Sequence, residues 1–131
     1  MPTQIVVAGA VFRGASVLVA QRVRPPELAG RWELPGGKVS DGETEPAALA
    51  RELAEELGID VTVGERLGDD VALNETTTLR AYRVYLLRGE PHPHDHRALR
   101  WVGVEELRDV DWVPADRGWL GALTRALCQS G

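Results

Sequence analysis

Runs of apolar residues divide the first third of the chain into strands and breaks. Residues 4–12 and 16–22 are apolar and rich in β-branched side chains, and the short turn between them predicts a hairpin of two buried strands. Residues 23–30 contain two prolines and end in glycine, which is typical of an irregular loop. A short extended piece at 32–34 runs into Pro35-Gly36-Gly37. This tripeptide predicts a sharp bend, because proline lacks a backbone donor and glycine tolerates a positive φ.

Leucines at every fourth position predict an amphipathic helix in the middle of the chain. Leu49, Leu53 and Leu57 form an apolar stripe that would dock on the sheet. Thr44 is a favourable N-cap residue, and an acid and a proline occupy the first turn after it. Gly58 is the expected stop. The helix is therefore expected to begin near Thr44 and to end at Gly58.

The rest of the chain alternates short strands with helical segments. Strands are expected at residues 60–67, 69–73, 76–87 and 98–102, a helical turn at 104–107, and a final helix that Asp116 caps and that ends near residue 129. No repeat or linker separates these elements, so one domain spanning residues 1–131 is expected. The order of elements predicts the α/β or α+β class, with a mixed β-sheet sandwiched between α-helices.

Composition and charge exclude several classes of protein. A net charge of −5 speaks against direct nucleic-acid binding as the main task, although it does not exclude a single nucleotide. The lone Cys128 permits no internal disulfide, which suits a reducing cytoplasm. Neither a leader-like stretch nor a membrane-spanning run is recognisable, so membrane attachment is not expected.

Three carboxylates gather on one face of the predicted central helix. Glu52 lies one turn before both Glu55 and Glu56, and like charges at this spacing repel one another. A cation would neutralise the cluster. Carboxylate oxygens without a Cys or His in the same segment suit Mg²⁺, with Mn²⁺ as an alternative. Taken alone, the cluster is equally compatible with a solvated acidic helix face.

The segment that contains these carboxylates, residues 37–59, resembles the signature of the Nudix hydrolase family at every fixed position. The matching positions are Gly37, Glu43, Arg51, Glu52, Leu53, Glu55, Glu56, Gly58 and Ile59. The resemblance implies a Nudix fold, a mixed sheet sandwiched between helices. It also implies an enzyme that hydrolyses a nucleoside diphosphate linked to another group, by attack of water at phosphorus.

The same resemblance assigns roles to residues of the signature and its lead-in. Glu52 and Glu56 would be the main metal ligands, with Glu55 assisting and the carbonyl of Gly36 completing the set. The metal ion would offset charge at the attacked phosphorus and lower the pKa of a bound water. Glu52 or another carboxylate would be the general base.

Two further signature residues, Arg51 and Glu43, are implied to support catalysis from behind the metal ligands. They would hold the loop before the helix to the helix itself through a charge-assisted hydrogen bond. Asp95 occupies the place where similar proteins carry an additional loop carboxylate that approaches the metal, so it is a candidate ligand or base. An aspartate there reaches less far than the more common glutamate.

Asp95 lies in the sequence His92-Pro93-His94-Asp95-His96, which raises an alternative. Three histidines at alternate positions can share one face of an extended segment and hold a transition metal. Prolines are close by and no cysteine accompanies them. A mobile polar loop is therefore the preferred interpretation of this segment.

Beyond the signature, the chain resembles the MutT group of the family, which acts on nucleoside triphosphates. The stretches that carry this resemblance are QRVRPPELAGRWELPGGKV, DHRALRWV and WVPADRGWL. Matched residue by residue, Arg22 and Lys38 would bind the phosphates. The alternative for both is solvated surface charge. Lys38 is the only lysine of the chain, and its position favours the phosphate-binding interpretation.

Asp116 is the candidate for recognition of the base, since similar proteins use an Asn or Asp here. A carboxylate accepts a hydrogen bond from the amine of cytosine or from the N7–H of oxidised guanine. The alternative is a plain N-cap of the last helix. Glu33, Tyr82 and Leu79 complete the expected substrate-binding set, with Tyr82, Leu79 and Trp32 as candidate pocket wall.

The expected function is Mg²⁺-dependent hydrolysis of a nucleoside triphosphate to the monophosphate and pyrophosphate. Candidate substrates are dCTP, CTP, 5-methyl-dCTP and 8-oxo-dGTP, the last implying sanitisation of the nucleotide pool. The alternative within the family is hydrolysis of ADP-ribose or dinucleoside polyphosphates, which is disfavoured because no insertion to grip a second nucleoside is recognisable. A nucleotide sensor without catalysis is also disfavoured, because all signature glutamates are present. A monomer or weak dimer is expected.

Overall fold

Strands dominate the architecture of the protein, of which the computed structural model describes residues 4–130. The eight strands are β1 (Gln4–Arg13), β2 (Ser16–Gln21), β3 (Trp32–Glu33), β4 (Gly36–Lys38), β5 (Asp60–Arg66), β6 (Val71–Ala72), β7 (Thr77–Arg88) and β8 (Ala98–Val102). The helices are α1 (Glu45–Leu57) and α2 (Leu120–Ser130), and two 3₁₀ segments span Val104–Asp109 and Pro114–Trp119. Most predicted elements are therefore present, with ends shifted by a few residues.

The strands form one mixed sheet with the main order β3-β2-β1-β7-β5. β1 and β7 run parallel, in a register from Gln4 opposite Thr77 to Phe12 opposite Tyr85. The other pairings are antiparallel, including β4 with β1, β6 with β7 and β8 with β2. The predicted fold class, a mixed sheet between helices, is confirmed.

The two faces of the sheet carry separate hydrophobic clusters. On one face, Leu49, Leu53 and Leu57 of α1 are fully buried against residues such as Val7 and Val84. On the other face, α2 and the 3₁₀ segments pack a cluster whose largest buried side chains are Trp112 and Trp119. Each helix thus holds one face of the sheet through burial of apolar area.

α1 begins and ends where its sequence predicts. The hydroxyl of Thr44 accepts a hydrogen bond from the N–H of Ala47 at 3.2 Å, which is the N-cap interaction. Gly58 adopts the left-handed conformation with φ 72°, and its N–H donates to the carbonyl of Ala54. The signature carboxylates are therefore presented on a well-defined helix.

Two local predictions are wrong. Gly36 and Gly37 are not in a bend but in β4, opposite Ala8 and Val7, and neither has a positive φ. Asp116 does not cap α2, because that helix begins at Leu120 while Asp116 lies inside the preceding 3₁₀ segment. In both places a tertiary contact, described below, replaces the expected local one.

None of the helices found among residues 4–130 combines the length and apolar character that crossing a membrane requires.

Candidate active site

A cavity of about 370 Å³ opens beside β4 and the C-terminal half of α1. Its lining comes from β1, β3, β4, β7, α1, the residues that follow β2, the 89–97 loop and the second 3₁₀ segment. The predicted site residues that line it are Arg22, Glu33, Gly36, Lys38, Glu56, Leu79, Asp95 and Asp116. Residues far apart in the sequence are thus brought together around one space.

Of the other signature residues, Gly37 also lines the cavity, and the remaining signature carboxylates and Arg51 lie behind or beside it. Glu52 approaches it at Gly37: a Cβ built on Gly37 would lie 2.2 Å from Glu52 Oε2. Glu43, Arg51 and Glu55 form the network around Glu52 and are absent from the lining residues.

Arg51 organises the carboxylates at the start of the site. Its Nε and Nη2 donate to the two carboxylate oxygens of Glu43 at 2.6 and 2.9 Å, a bidentate pair. Its Nη1 donates to Glu52 at 2.8 Å and to Glu55 at 2.9 Å, and Nη2 also reaches the carbonyl of Lys38. Hydrogen bonds from Arg51 and from the N–H of Ser40 lower the pKa of Glu43 to about 2. One guanidinium therefore connects the loop, β4 and α1.

The two glycines of β4 allow the backbone to approach the site closely. A Cβ on Gly36 would lie 1.9 Å from the carbonyl oxygen of Val7, which is backbone and cannot move aside. A Cβ on Gly37 would collide with the carboxylate of Glu52. Glycine is required here by close packing of strand on strand and strand on helix, and not by an unusual φ.

Glu56 is the buried carboxylate of the cluster. Its Oε1 is inaccessible and has no hydrogen-bond partner among the described residues. Burial raises the pKa of Glu56 to about 7; the nearby His96 opposes the shift, and the negative charge of Glu52 adds to it. A buried acceptor without a donor is the arrangement that a cation would satisfy.

The donor set fits a hard divalent cation. Glu52 and Glu56 are one helical turn apart on α1, and carboxylate oxygens with the Gly36 carbonyl match the preference of Mg²⁺ or Mn²⁺. Within residues 4–130 no three acidic, His or Cys side chains are already gathered as a complete metal site. The contacts of Arg51 with Glu52 and Glu55 direct one oxygen of each carboxylate toward the guanidinium.

The 89–97 loop is anchored to α1 rather than free. The backbone N–H groups of His92 and His94 donate to the carbonyls of Leu57 and Glu56 at 3.0 and 3.1 Å, so they cap the C-terminal end of the helix. The Asp95 carboxylate forms an ion pair with Arg24 at 3.1 Å. The loop therefore holds Asp95 at the cavity, with its charge paired to an arginine.

The three histidines of this loop do not come together. His92 and His94 are exposed, with ring centroids 6.4 Å apart, whereas the side chain of His96 is 5% exposed and its Nε2 lies 3.0 Å from Glu33 Oε2. The alternative of a transition-metal site has no support in this geometry.

Asp116 lies on the cavity wall away from α1. Its Oδ2 accepts a hydrogen bond from the N–H of Leu34 at 2.8 Å, and the residue is 5% exposed. Burial raises the pKa of Asp116 to about 7, although the bond from Leu34 opposes the shift. The buried site thus favours the neutral acid more than an exposed aspartate position does.

Tyr82 lies on the opposite face of the sheet from Leu79, the other candidate on β7, and it does not line the cavity. Its side chain belongs to the α1 cluster, and its hydroxyl donates to Glu45 at 2.6 Å. Leu79 points to the other face, as expected from alternation along β7, and lines the cavity. Trp32 packs on the α2 cluster and is not among the lining residues.

Several lining residues escape the sequence-based prediction, notably Arg24, His96 and Trp119. Arg24 follows Arg22 by two residues, and alternation along an extended segment is the signal that could have indicated it. Trp119 belongs to the α2 cluster, and its Nε1 donates to the carbonyl of Asp69 at 2.8 Å. No local pattern indicates that His96, alone of three histidines, turns inward.

Comparison with known proteins identifies the family. Residues 2–123 match the NUDIX domain. The chain belongs to the Nudix family. It is a Nudix hydrolase, so the family, the Nudix fold and the class of enzyme expected from residues 37–59 are confirmed.

Among Nudix relatives, the chain is similar to a Mycobacterium tuberculosis (strain ATCC 25618 / H37Rv) protein named "Putative 8-oxo-dGTP diphosphatase 2". The identity is 74% over 130 residues, covering 97% of this chain and 92% of the relative. A CTP pyrophosphohydrolase of Escherichia coli (strain K12) is 40% identical over 113 residues, covering 85% and 84%. The solution structure of the E. coli ORF135 protein superposes with a TM-score of 0.82 at 35% identity, covering 95% and 91%.

Proposed function

We propose that this Nudix hydrolase converts a nucleoside triphosphate to the monophosphate and pyrophosphate, with Mg²⁺ as the metal. The observation that carries the proposal is the composition of the cavity. Basic side chains, Arg22 and Lys38, and the buried carboxylate of Glu56 line one space with Asp116. The first three groups suit a phosphate chain with its metal, and Asp116 suits the edge of a base.

The phosphates would be held by Arg22 and Lys38. The Lys38 side chain is exposed, and its ammonium group forms no ion pair with any described residue. Arg22 carries its charge at the end of β2, on the wall of the cavity. Phosphate oxygens would neutralise Lys38. They would also bind the free nitrogen of Arg22, whose guanidinium already pairs with Glu33 at 2.8 Å, and both contacts are favourable in a partly desolvated cavity.

The metal ion would be held by Glu52 and Glu56, with Glu55, Asp95 and the Gly36 carbonyl as further oxygen donors. When bound, Mg²⁺ or Mn²⁺ polarises phosphate oxygens and makes a bound water more acidic. Arg51 keeps Glu52 against β4, so this carboxylate is oriented before substrate arrives.

The chemical step would be attack of a water oxygen on phosphorus, with cleavage of the bond to the bridging oxygen. A carboxylate must accept the water proton, and Glu52 is our candidate because it lies at the cavity edge with a partly exposed side chain. Glu55 and Asp95 are the neighbouring alternatives for this role.

The base would be read by Asp116. In its ionised form the carboxylate accepts from the cytosine amine or from the N7–H of 8-oxoguanine, so dCTP, CTP, 5-methyl-dCTP and 8-oxo-dGTP are the proposed substrates. The names of the two relatives, an 8-oxo-dGTP diphosphatase and a CTP pyrophosphohydrolase, support nucleotides of these two kinds. Hydrolysis of 8-oxo-dGTP would remove an oxidised nucleotide from the pool.

We propose that one domain acts in the cytoplasm on free nucleotides, without direct nucleic-acid contact, as a monomer or weak dimer.

A substrate panel tests this proposal. The four triphosphates, canonical dGTP and ADP-ribose are compared with Mg²⁺ by kcat/KM, with pyrophosphate, orthophosphate and AMP measured separately. We expect pyrophosphate from a cytidine or oxidised-guanine triphosphate to dominate. Release of AMP from ADP-ribose as the fastest reaction would contradict the proposed substrate class.

Replacement of Glu52 by glutamine tests the role of the signature. Glu52→Gln should reduce turnover by about a hundredfold or more, since it removes a charge at the metal site and a candidate base, while nucleotide binding is retained. Glu65→Gln, an exposed residue on β5, is the matched control. Turnover of Glu52→Gln at the wild-type rate would show that the assignment is wrong.

Thermal unfolding tests the metal assignment independently of activity. Mg²⁺ in excess should raise the Tm of the wild-type protein, because an ion that binds only the folded state stabilises it. The increase should be smaller for Glu56→Gln, which cannot offer a charged oxygen in the buried position. An equal increase in both proteins would place the ion elsewhere.

A further inference from the structure

The cavity wall contains a chain of three polar side chains that the Nudix signature does not include. His96 Nε2 lies 3.0 Å from Glu33 Oε2, and Glu33 Oε1 accepts a hydrogen bond from Arg22 Nη1 at 2.8 Å. The three side chains are 5%, 17% and 31% exposed in that order. Burial therefore decreases outward from His96 to Arg22, the member that reaches the open side.

The orientation of Arg22 is determined at two of its nitrogens. Nε donates to the carbonyl of Arg24 at 2.9 Å, and Nη1 donates to Glu33. Its Nη2 makes no hydrogen bond to any residue from 4 to 130. A guanidinium held on two nitrogens loses little freedom when the third binds a phosphate oxygen, so such a chain favours binding by preorganisation.

The chain also joins three segments that are distant in sequence. Arg22 follows β2, Glu33 is on β3, and His96 precedes β8. Within the described chain, the buried Nδ1 of His96 has no hydrogen-bond partner. An unpaired buried nitrogen is unfavourable for stability, so packing alone does not account for a histidine at this position.

We propose that Glu33 and His96 are positioning residues that orient the guanidinium of Arg22 toward the triphosphate. The inference rests on the proposed function, because it requires that Arg22 bind phosphate. It assigns Glu33 a role different from direct substrate binding: each of its carboxylate oxygens is already bonded, one to Arg22 and the other to His96.

A double-mutant cycle in KM and kcat tests the proposal, with dCTP or 8-oxo-dGTP as substrate, whichever the panel ranks higher. Arg22→Ala should raise KM by about 10- to 100-fold, the loss expected for one charged hydrogen bond. His96→Ala should raise KM by about 3- to 10-fold with a smaller change in kcat. In the Arg22→Ala background, His96→Ala should add no further rise, because its effect passes through Arg22.

Conservative variants separate positioning from a structural role. His96→Gln keeps a donor at the reach of Nε2 and should restore most of the wild-type KM. Glu33→Gln removes the charge that holds Arg22 and should raise KM by a similar factor to His96→Ala. If His96→Ala does not fold, Glu33→Gln takes its place in the double-mutant cycle with Arg22→Ala. His92→Ala, an exposed histidine of the same loop, is the control and should leave KM unchanged.

Two outcomes overturn the inference. Additive KM effects in the double variant would show that His96 does not act through Arg22. A lower Tm for His96→Ala with unchanged KM would show a merely structural residue. In both cases the wild-type protein still releases pyrophosphate, so the proposed function stands and only the inference fails. If the wild-type protein releases no pyrophosphate, the proposed function is refuted, and the inference with it.

Discussion

At the scale of single residues, Asp116 shows how a buried carboxyl group can serve recognition at a cost in stability. Its hydrogen bond from Leu34 satisfies one oxygen, but burial still favours the neutral acid and raises the pKa to about 7. The folded protein therefore binds this proton more tightly than the unfolded chain does, where the ordinary value of 3.8 applies. The contribution of Asp116 to the free energy of unfolding is most favourable at low pH and is lost as the pH rises toward 7.

Asp116→Asn should consequently flatten the dependence of stability on pH. The wild-type protein should lose stability relative to the variant as the pH rises from about 4 to about 7, because only the wild type must ionise a buried group. Tm values of both proteins at pH 5 and pH 8 measure this, and shared titrations cancel in the difference. A difference in Tm that is the same at both pH values would contradict the prediction.

At the scale of elements, β4 is the strand for which local sequence signals predict the wrong structure. Proline and two glycines are typical of a bend, yet Gly36–Lys38 pair with β1 and lie against α1. The glycines are needed because of what lies opposite them, namely the Val7 carbonyl and the Glu52 carboxylate. Neither contact is visible in the spacing of residues along the chain, since each joins β4 to a distant element.

Alanine at the two glycines should therefore have different effects. Gly36→Ala should destabilise the protein by about 3 kcal/mol or more, because its Cβ would collide with rigid backbone. Gly37→Ala meets the flexible end of a side chain, so it should fold but displace Glu52 and reduce kcat by roughly tenfold or more. Urea unfolding and pyrophosphate release distinguish the two, and the reverse pattern would refute the explanation.

At the scale of the whole molecule, the two helices differ in what they contribute. α1 contributes both core leucines and the signature carboxylates, whereas α2 contributes core alone on the other face. Leu53 lies between Glu52 and Glu55 on the same helix, so its packing also sets the position of both carboxylates. Leu127, near the end of α2, is also buried, but it does not line the cavity.

Leu53→Ala and Leu127→Ala should each lower the free energy of unfolding by about 2–5 kcal/mol through loss of buried apolar area and a residual cavity. At a temperature where both remain folded, only Leu53→Ala should also reduce kcat. Leu87→Ala is the matched control, because Leu87 is 66% exposed and its truncation should change stability by less than about 0.5 kcal/mol. Equal losses of kcat in both core variants would show that the packing of α1 has no special role in positioning the carboxylates.

The sequence by itself determined the elements and groups that depend on near neighbours. The caps of α1, its leucine stripe and its row of carboxylates follow from helical periodicity, and the spacing of residues 37–59 was enough to predict the family. Of the three residues expected at the pocket wall, Leu79 lines the cavity, whereas Tyr82 and Trp32 do not.

Only the tertiary structure decided which groups meet across the sheet. Asp116, predicted to cap a helix, is a buried acceptor for the N–H of Leu34. Tyr82 lies on the α1 face of the sheet and bonds to Glu45, and His96 is the one histidine of the three in its loop that contacts Glu33. The physical reason is that these contacts join elements far apart in sequence. They depend on the register of the strands and on close packing of β4 against α1, and short-range spacing carries no information about either.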